Sequence, residues 1–327
     1  MKLDRGIIMP TVSVQIVTYN SEKDIRNCLE SVFLQTFPIQ QVIVIDNQSH
    51  DQTLTIINSF ANVKVVKNNW NNGFAGGHNQ GITLSDSDYI LVLNPDVILQ
   101  KDYVKNIIGE MEQNIKIGSA TGKLYREMDK HVLDSTGLII KKNRRAFDRG
   151  SGEIDQGQYD KLQDIFGISG AAAIYRREMI KDISIDGQFF DETFFAYKED
   201  VDVSWRAQLL GWKSAFVPSA IAEHSRGWQE EKKRSDIPLF IRQRSYINRY
   251  YCFLKNDVVS RFLLHFPTII LYETLSFTYA ALKERETLAA WRNFKLEYQA
   301  MKQKRNYIMN KRRSSNKQIY SYFKGLW

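Results

Sequence analysis

A chain of 327 residues with 43% hydrophobic and 25% charged residues can bury a large core, and global disorder is excluded by its apolar content. Its two cysteines, Cys28 and Cys252, lie too far apart for a disulfide framework or a cysteine-based zinc site, which points to a reducing compartment. The formal charge of +8 is concentrated at one end: residues 283–327 hold twelve Lys or Arg against three Glu, which leaves the first 282 residues at −1.

Taken in chain order, TVSVQIV (Thr11 to Val17) is rich in β-branched residues and runs into the polar Thr18-Tyr19-Asn20, the pattern of a buried strand entering a loop. Ser21 is the expected N-cap of a helix carrying Ile25, Leu29 and Val32 or Phe33 at helical spacing. QVIVI (Gln41 to Ile45) returns as a second strand, so the opening is a βαβ unit with a parallel sheet. A helix over Asp51 to Phe60, a strand over Val63 to Lys67, a helix over Gly76 to Leu84 and the strand YILVL (Tyr89 to Leu93) repeat the pattern. In an open α/β sheet, ligands bind beyond the carboxyl ends of the strands. Three polar clusters sit at those ends: Thr18-Tyr19-Asn20, Asp46-Asn47 and Asn94-Pro95-Asp96.

Beyond Ile98 the alternation loosens. Residues 140–163 are polar and glycine-bearing, as in a surface excursion. The small residues of GISGAAAIY (Gly167 to Tyr175) lead into a strand and permit close approach of a ligand. The acidic and aromatic stretch from Phe189 ends in the helix VDVSWRAQLL, closed by Gly211, and from about 236 onward the chain is expected to be helical.

Several of these residues can carry chemistry, and each has a plainer reading. Asp46 can accept hydrogen bonds from a base or ribose, or cap a helix. Asp96 can grip a divalent cation that also binds a diphosphate, although Asn-Pro-Asp is also a common turn. The glycines of NGFAGGHNQG (Asn72 to Gly81) can cradle phosphate ahead of a helix, or form a flexible turn. That stretch is neither GxGxxG nor a P-loop, so dinucleotide oxidoreductase and ATPase readings lose support. The crowded acids Glu199-Asp200-Val201-Asp202 suit a general base with a raised pKa, or a helix N-terminus. His224, after a strand, can complete a metal site or be structural.

Together, VSVQIVTYN, VIVIDNQSHDQT, NNGFAGGHNQG, YILVLNPDV, ISGAAAIYRRE, FFDETFFAYKEDVDVSWRA and GWKSAFVPSAIAEH resemble the inverting glycosyltransferase family 2, closest to its bacterial rhamnosyltransferase-like branch, over roughly residues 10–228. The resemblance implies a GT-A fold, an α/β domain with a mostly parallel central sheet flanked by helices, over 1–235. A helical, basic C-terminal extension follows over 236–327. It implies that Thr18, Tyr19, Asn20 and Asp46 hold the nucleotide, that Gly76 and Asn79 line the donor pocket, and that Asn94 and Asp96 take the place of the DxD motif. Asn94 departs from the usual Asp there. Asp96 and His224 are then ligands of a divalent cation, Mg or Mn, and Asp200 is the catalytic base. The implied partners are a nucleotide-sugar donor, dTDP-L-rhamnose in the nearest branch, and a lipid-linked precursor of a cell-surface polysaccharide. Galactofuranose, glucose or N-acetylglucosamine transfer on the same fold is the alternative, and a non-catalytic glycan-binding module a further one.

Arg261, His265, Pro267 and Glu273 interrupt the apolar run over 258–282, so no membrane-spanning helix is expected. Two readings of the C-terminal region stand: an amphipathic segment and basic tail lying on an anionic membrane face, or a helical subdomain with a solvated tail. With no signal-peptide pattern at its start, the expected location is cytoplasmic, peripheral at the inner face of the cell membrane. No nucleic-acid partner is expected, and a homodimer is allowed.

Overall fold

The computed structural model describes residues 9–126, 129–161, 163–225 and 236–326. Among the described residues there are twelve strands: β1 Val12–Thr18, β2 Gln41–Asp46, β3 Val63–Lys67, β4 Tyr89–Leu93, β5 Val97–Leu99, β6 Ile117–Arg126, β7 Asp129–Ser135, β8 Leu138–Ile140, β9 Ala146–Asp148, β10 Asp164–Ile165, β11 Ala172–Arg176 and β12 Lys213–His224. Ten α-helices accompany them: α1 Ile25–Phe33, α2 Thr53–Ile57, α3 Gly73–Thr83, α4 Tyr103–Gln113, α5 Arg177–Ile183, α6 Glu199–Leu209, α7 Leu239–Asn256, α8 Val259–Lys283, α9 Ala290–Lys311 and α10 Asn316–Tyr320.

The central sheet runs β10-β12-β6-β11-β4-β1-β2-β3. Its β4-β1-β2-β3 half is parallel, as the βαβ pattern requires, and β11 enters antiparallel between β4 and β6. β4 is apolar throughout because both of its faces are covered. Leu91 and Leu93 join the core formed with α1 and α4, while Ile90 and Val92 face a second core with Phe190, Trp205 and the C-terminal helices. On β1, Val12, Val14 and Ile16 take the first face. The other side of the strand is approached by α3 through its glycines: a Cβ on Gly77 would lie 2.7 Å from Val17, and one on Gly81 2.8 Å from Gln15.

Several local expectations are corrected. α3 begins at Gly73, three residues early, so Gly76 and Gly77 lie inside the helix, Gly77 against Val17 of the sheet and Gly76 against Asn72 and Glu192. Ser21 does not cap α1; its carbonyl closes a preceding turn by accepting from Asp24 and Ile25, and α1 starts at Ile25. α2 is only five residues long.

Residues 140–163 are not a free surface excursion. Arg144 is buried there, paired to Asp257 at 2.8 Å, with its guanidinium over the Tyr320 and Phe323 rings. The end of the chain bridges Ile140 through Phe323. The basic tail is therefore neither a free arm nor solvated throughout: Lys304 pairs with Asp191, and Lys311 and Arg313 with Asp182. Ile247, Tyr251, Met301 and Ile308 from α7 and α9 belong to the core that lies against Phe190 and Trp205.

Candidate active site

The polar clusters meet at the carboxyl ends of the parallel strands. Thr18 and Asp46 are register partners on β1 and β2. Asp46 is buried; it accepts from Thr18 Oγ1 at 3.1 Å and from the Ser49 amide at 3.1 Å. It therefore fixes a loop and caps no helix, while each carboxylate oxygen keeps further acceptor capacity. Asn20, at φ +53°, accepts on its side chain from the His50 amide and donates its own amide to Ser49 Oγ. This clasp leaves the Tyr19 ring exposed at the rim.

The Asn79 side-chain amide donates to the Phe190 carbonyl and to Glu192 Oε1, and its oxygen accepts from the Phe190 amide. That engages it in a clasp between α3 and the 190–192 segment. Gly76 faces Asn72 and Glu192 across the same boundary.

β5 and β12 pair antiparallel with His224 opposite Val97, which sets the imidazole beside Asp96. His224 Nε2 lies 3.4 Å from Asp96 Oδ1, and Nδ1 lies 2.8 Å from Asp134 Oδ2. Burial lowers the affinity of this imidazole for a proton, but the hydrogen bonds and charges of Asp134 and Asp96 outweigh it and push the pKa up to about 9. Asp134, fully buried on β7, was not singled out in the sequence. It holds Nδ1, the arrangement that aims the opposite nitrogen of a histidine at a metal. No three His, Cys, Asp or Glu side chains among the described residues form a closed metal cage. The pair fits an open site: Asp96 and His224, with Nδ1 held by Asp134, would hold a divalent cation from one side and supply it with a carboxylate oxygen and an imidazole nitrogen.

Asp200 lies in the first turn of α6, where its carboxylate accepts from the Val201 amide at 2.7 Å and from the Gly170 amide. Burial and the nearby Asp148 push its pKa up, against the opposing pull of Lys198 and the two amides. Glu199 is buried with Oε2 unpartnered, and burial together with the Asp200 charge pushes it up to about 8. The Asn94 amide donates to the Ala171 carbonyl at 2.8 Å. The loop bearing Asp96 and the carboxylate of Asp200 therefore meet on either side of the two residues Gly170 and Ala171.

The segment leading into Asp200 is strained, with positive φ at Phe195, Tyr197 and Lys198. It is held from two sides. Gly73, at φ +71°, packs so close that a Cβ would lie 2.4 Å from the Phe195 carbonyl oxygen. From α7, Asn248 Nδ2 reaches the carbonyls of Phe194, Ala196 and Tyr197 at 2.9, 3.0 and 2.7 Å. Behind it, Lys255 bridges Asp191 and Asp202 at 2.5 and 3.0 Å, and Arg206 also binds Asp202.

A model of the family described as Glycosyl transferase family 2 matches residues 13–184. Among curated proteins, the poly-beta-1,6-N-acetyl-D-glucosamine synthase of Staphylococcus epidermidis is 24% identical over 213 residues, which are 64% of this chain and 48% of that protein. The synthase of Staphylococcus aureus strain COL is 23% identical over 216 residues, with the same coverage. The chain thus spans about half the length of the curated relatives it matches. Among solved structures, the mannosyltransferase PcManGT from Pyrobaculum calidifontis in complex with GDP-Man and Mn2+ superposes with a TM-score of 0.55 at 14% identity, over 93% of this chain and 86% of that one. S. aureus TarS 1-349 in complex with UDP-GlcNAc gives 0.55 at 18% identity, over 92% and 90%. These structures share the fold. Since the family model covers more than half of the chain, including the strands whose ends carry Thr18, Asp46 and Asn94, the chain belongs to glycosyl transferase family 2.

Proposed function

We propose that the protein transfers a sugar from a nucleoside-diphosphate donor to a hydroxyl of a lipid-linked cell-surface polysaccharide precursor, with inversion at the anomeric carbon. The observation that carries this reading is the meeting of the Asn94–Asp96 loop and Asp200 across Gly170-Ala171. One carboxylate faces His224 and the other lies beside a raised-pKa neighbour, which supports a division into diphosphate end and acceptor end.

Thr18, Tyr19, Asn20 and Asp46 bind the nucleotide at the open edge of β1 and β2, with Asn94 beside the sugar phosphates. Asp96 and His224 hold a divalent cation, Mg or Mn, which when bound neutralises charge growing on the departing diphosphate. Asp200 takes the proton of the acceptor hydroxyl as its oxygen bonds to the anomeric carbon and the carbon–phosphate oxygen bond breaks. Gly76 and Asn79 support this edge from behind, as packing and clasp.

The motif pattern favours dTDP-L-rhamnose as donor, while the names of the curated relatives and the TarS complex favour UDP-N-acetylglucosamine. A panel of nucleotide sugars with and without Mg or Mn, scored by nucleoside diphosphate release and product mass, separates them. Asp200→Asn is expected to retain donor binding and lose at least about 10³-fold in turnover. Near-normal turnover in that variant would remove Asp200 from the role.

A further inference from the structure

Helix α8 is 25 residues long, about 37 Å at 1.5 Å per residue, yet of its side chains the apolar ones that are buried are only Ile269 and Ala280. Ten large apolar side chains between Val259 and Leu282 are exposed, Leu263, Leu264, Ile270, Leu271, Leu275 and Leu282 among them. The polar interruptions fall on the inner side. Arg261 gives its carbonyl to Arg144, His265 meets the same guanidinium, and Glu273 pairs with Arg249 and Tyr250. At 100° per residue the exposed apolar positions spread over roughly 220° of the helix. They amount to something on the order of 1,000 Å² of apolar surface, well beyond the patch an ordinary monomer exposes.

The margin of this face is positive. Arg145 lies over the Tyr272 ring at 5.1 Å at one side, and Lys283 and Arg285 close the far end. Three of the neighbouring acids are turned to the body, Asp257 held by Arg144, Glu273 by Arg249 and Glu284 by Arg242, while Glu286 is exposed beyond the far end.

We propose that α8 lies in the plane of an anionic lipid bilayer, its apolar face in the boundary between headgroups and acyl chains and its flanking cations against lipid phosphates. A packed partner helix covers a stripe of about 100°, whereas a fluid layer wraps a convex face more than half the way round. No described helix is long and apolar enough to cross a membrane, which suits a helix that lies in the interface. The partner is met by α8 itself, and the basic tail beyond it stays docked on the body. Because α7 and α8 are joined at Asp257 and Val258, docking α8 holds the Asn248 clamp and Asp200 near the surface. That purpose rests on the lipid-linked acceptor proposed above.

The test uses the full chain and sedimentation with vesicles of equal parts phosphatidylglycerol and phosphatidylcholine, against phosphatidylcholine alone. Binding is expected to the anionic vesicles, to weaken with salt, and to fall about ten-fold or more in the double variant Leu263→Glu, Leu271→Glu with its melting temperature unchanged. Absence of wild-type binding, or undiminished binding by the variant, overturns the proposal. So does a dimer seen by light scattering that the same variant dissolves while vesicles remain unbound, which would assign the face to a second copy. Transfer to a soluble acceptor analogue is measured separately. Lost vesicle binding with intact transfer is a failure of this proposal alone, and absent transfer with intact vesicle binding a failure of the functional reading alone.

Discussion

Asn248 lies on α7, outside the residues matched by the family model, yet its one NH₂ group faces three carbonyls of the segment that delivers Asp200. Two protons shared among three acceptors amount to about two hydrogen bonds, each contributing about 1 kcal/mol net, with a further penalty for carbonyls left buried and unpaired. Asn248→Ala should therefore destabilise by about 2–4 kcal/mol. The same bonds hold positive φ at Phe195, Tyr197 and Lys198, a strain of about 1–2 kcal/mol per residue that the freed segment can relax. Since the strain sits one residue before the Glu199-Asp200 pair, turnover should fall about 10- to 100-fold while KM for the donor stays within about three-fold. Asn248→Asp should be worse than Ala, because a carboxylate would confront the three carbonyls. The measurement is kcat and KM for the donor alongside the melting temperature. A variant that melts early yet turns over normally, or an Asp variant as active as wild type, would refute the positioning role and leave Asn248 as packing.

Asp134→Asn should weaken Mn binding about 10- to 100-fold, because Asp134 orients His224; calorimetric titration of Mn in the presence of nucleoside diphosphate measures it, and unchanged affinity would sink the orienting role. Gly73→Ala, at φ +71° and with a Cβ 2.4 Å from the Phe195 carbonyl oxygen, should cost about 2–4 kcal/mol by denaturant melts and lower turnover with it. Glu199, raised to about 8 by burial and Asp200, is less stable ionised in the fold than in the unfolded chain, so its penalty is absent in acid and grows as pH rises from its unfolded value toward 8. Glu199→Gln should thus raise the melting temperature by about 1–3 °C at pH 8 and leave it unchanged near pH 4; a fall at pH 8 contradicts this. As the proposed base Asp200 would act ionised, and its pKa is also raised. The acid limb of the rate profile should lie above the ordinary carboxylate range of about 4 and move down in Asp148→Asn.

The alternation of Val12, Val14 and Ile16, the unbroken apolar β4 and the polar residues just past each strand end were legible along the chain, because strand period and burial on two faces act on neighbours in sequence. The strand ends made Asp46 and Asp96 readable as parts of one site, and only the resemblance to the family added Asp200 to them. Gly73 to Gly81 was half legible: the glycines were read as a phosphate cradle or a flexible turn ahead of a helix, whereas Gly77 and Gly81 let α3 approach Val17 and Gln15 on β1, which only the packed sheet supplies.

Contacts across long separations were decided by tertiary structure alone. Asp134 meets His224 from 90 residues away, Asn248 reaches back 51 to 54 residues, and Lys304 reaches Asp191 across 113. Each lies in a stretch whose own pattern asks only for a strand or a helix, so nothing local marks the partner. The C-terminal basic excess shows the division most clearly. Its amount follows from composition, but whether a cation is free or paired depends on which carboxylate the fold brings up. The fold turns Arg261, His265 and Glu273 inward on α8, leaving outward an apolar face that the linear run, broken by those same residues, had concealed.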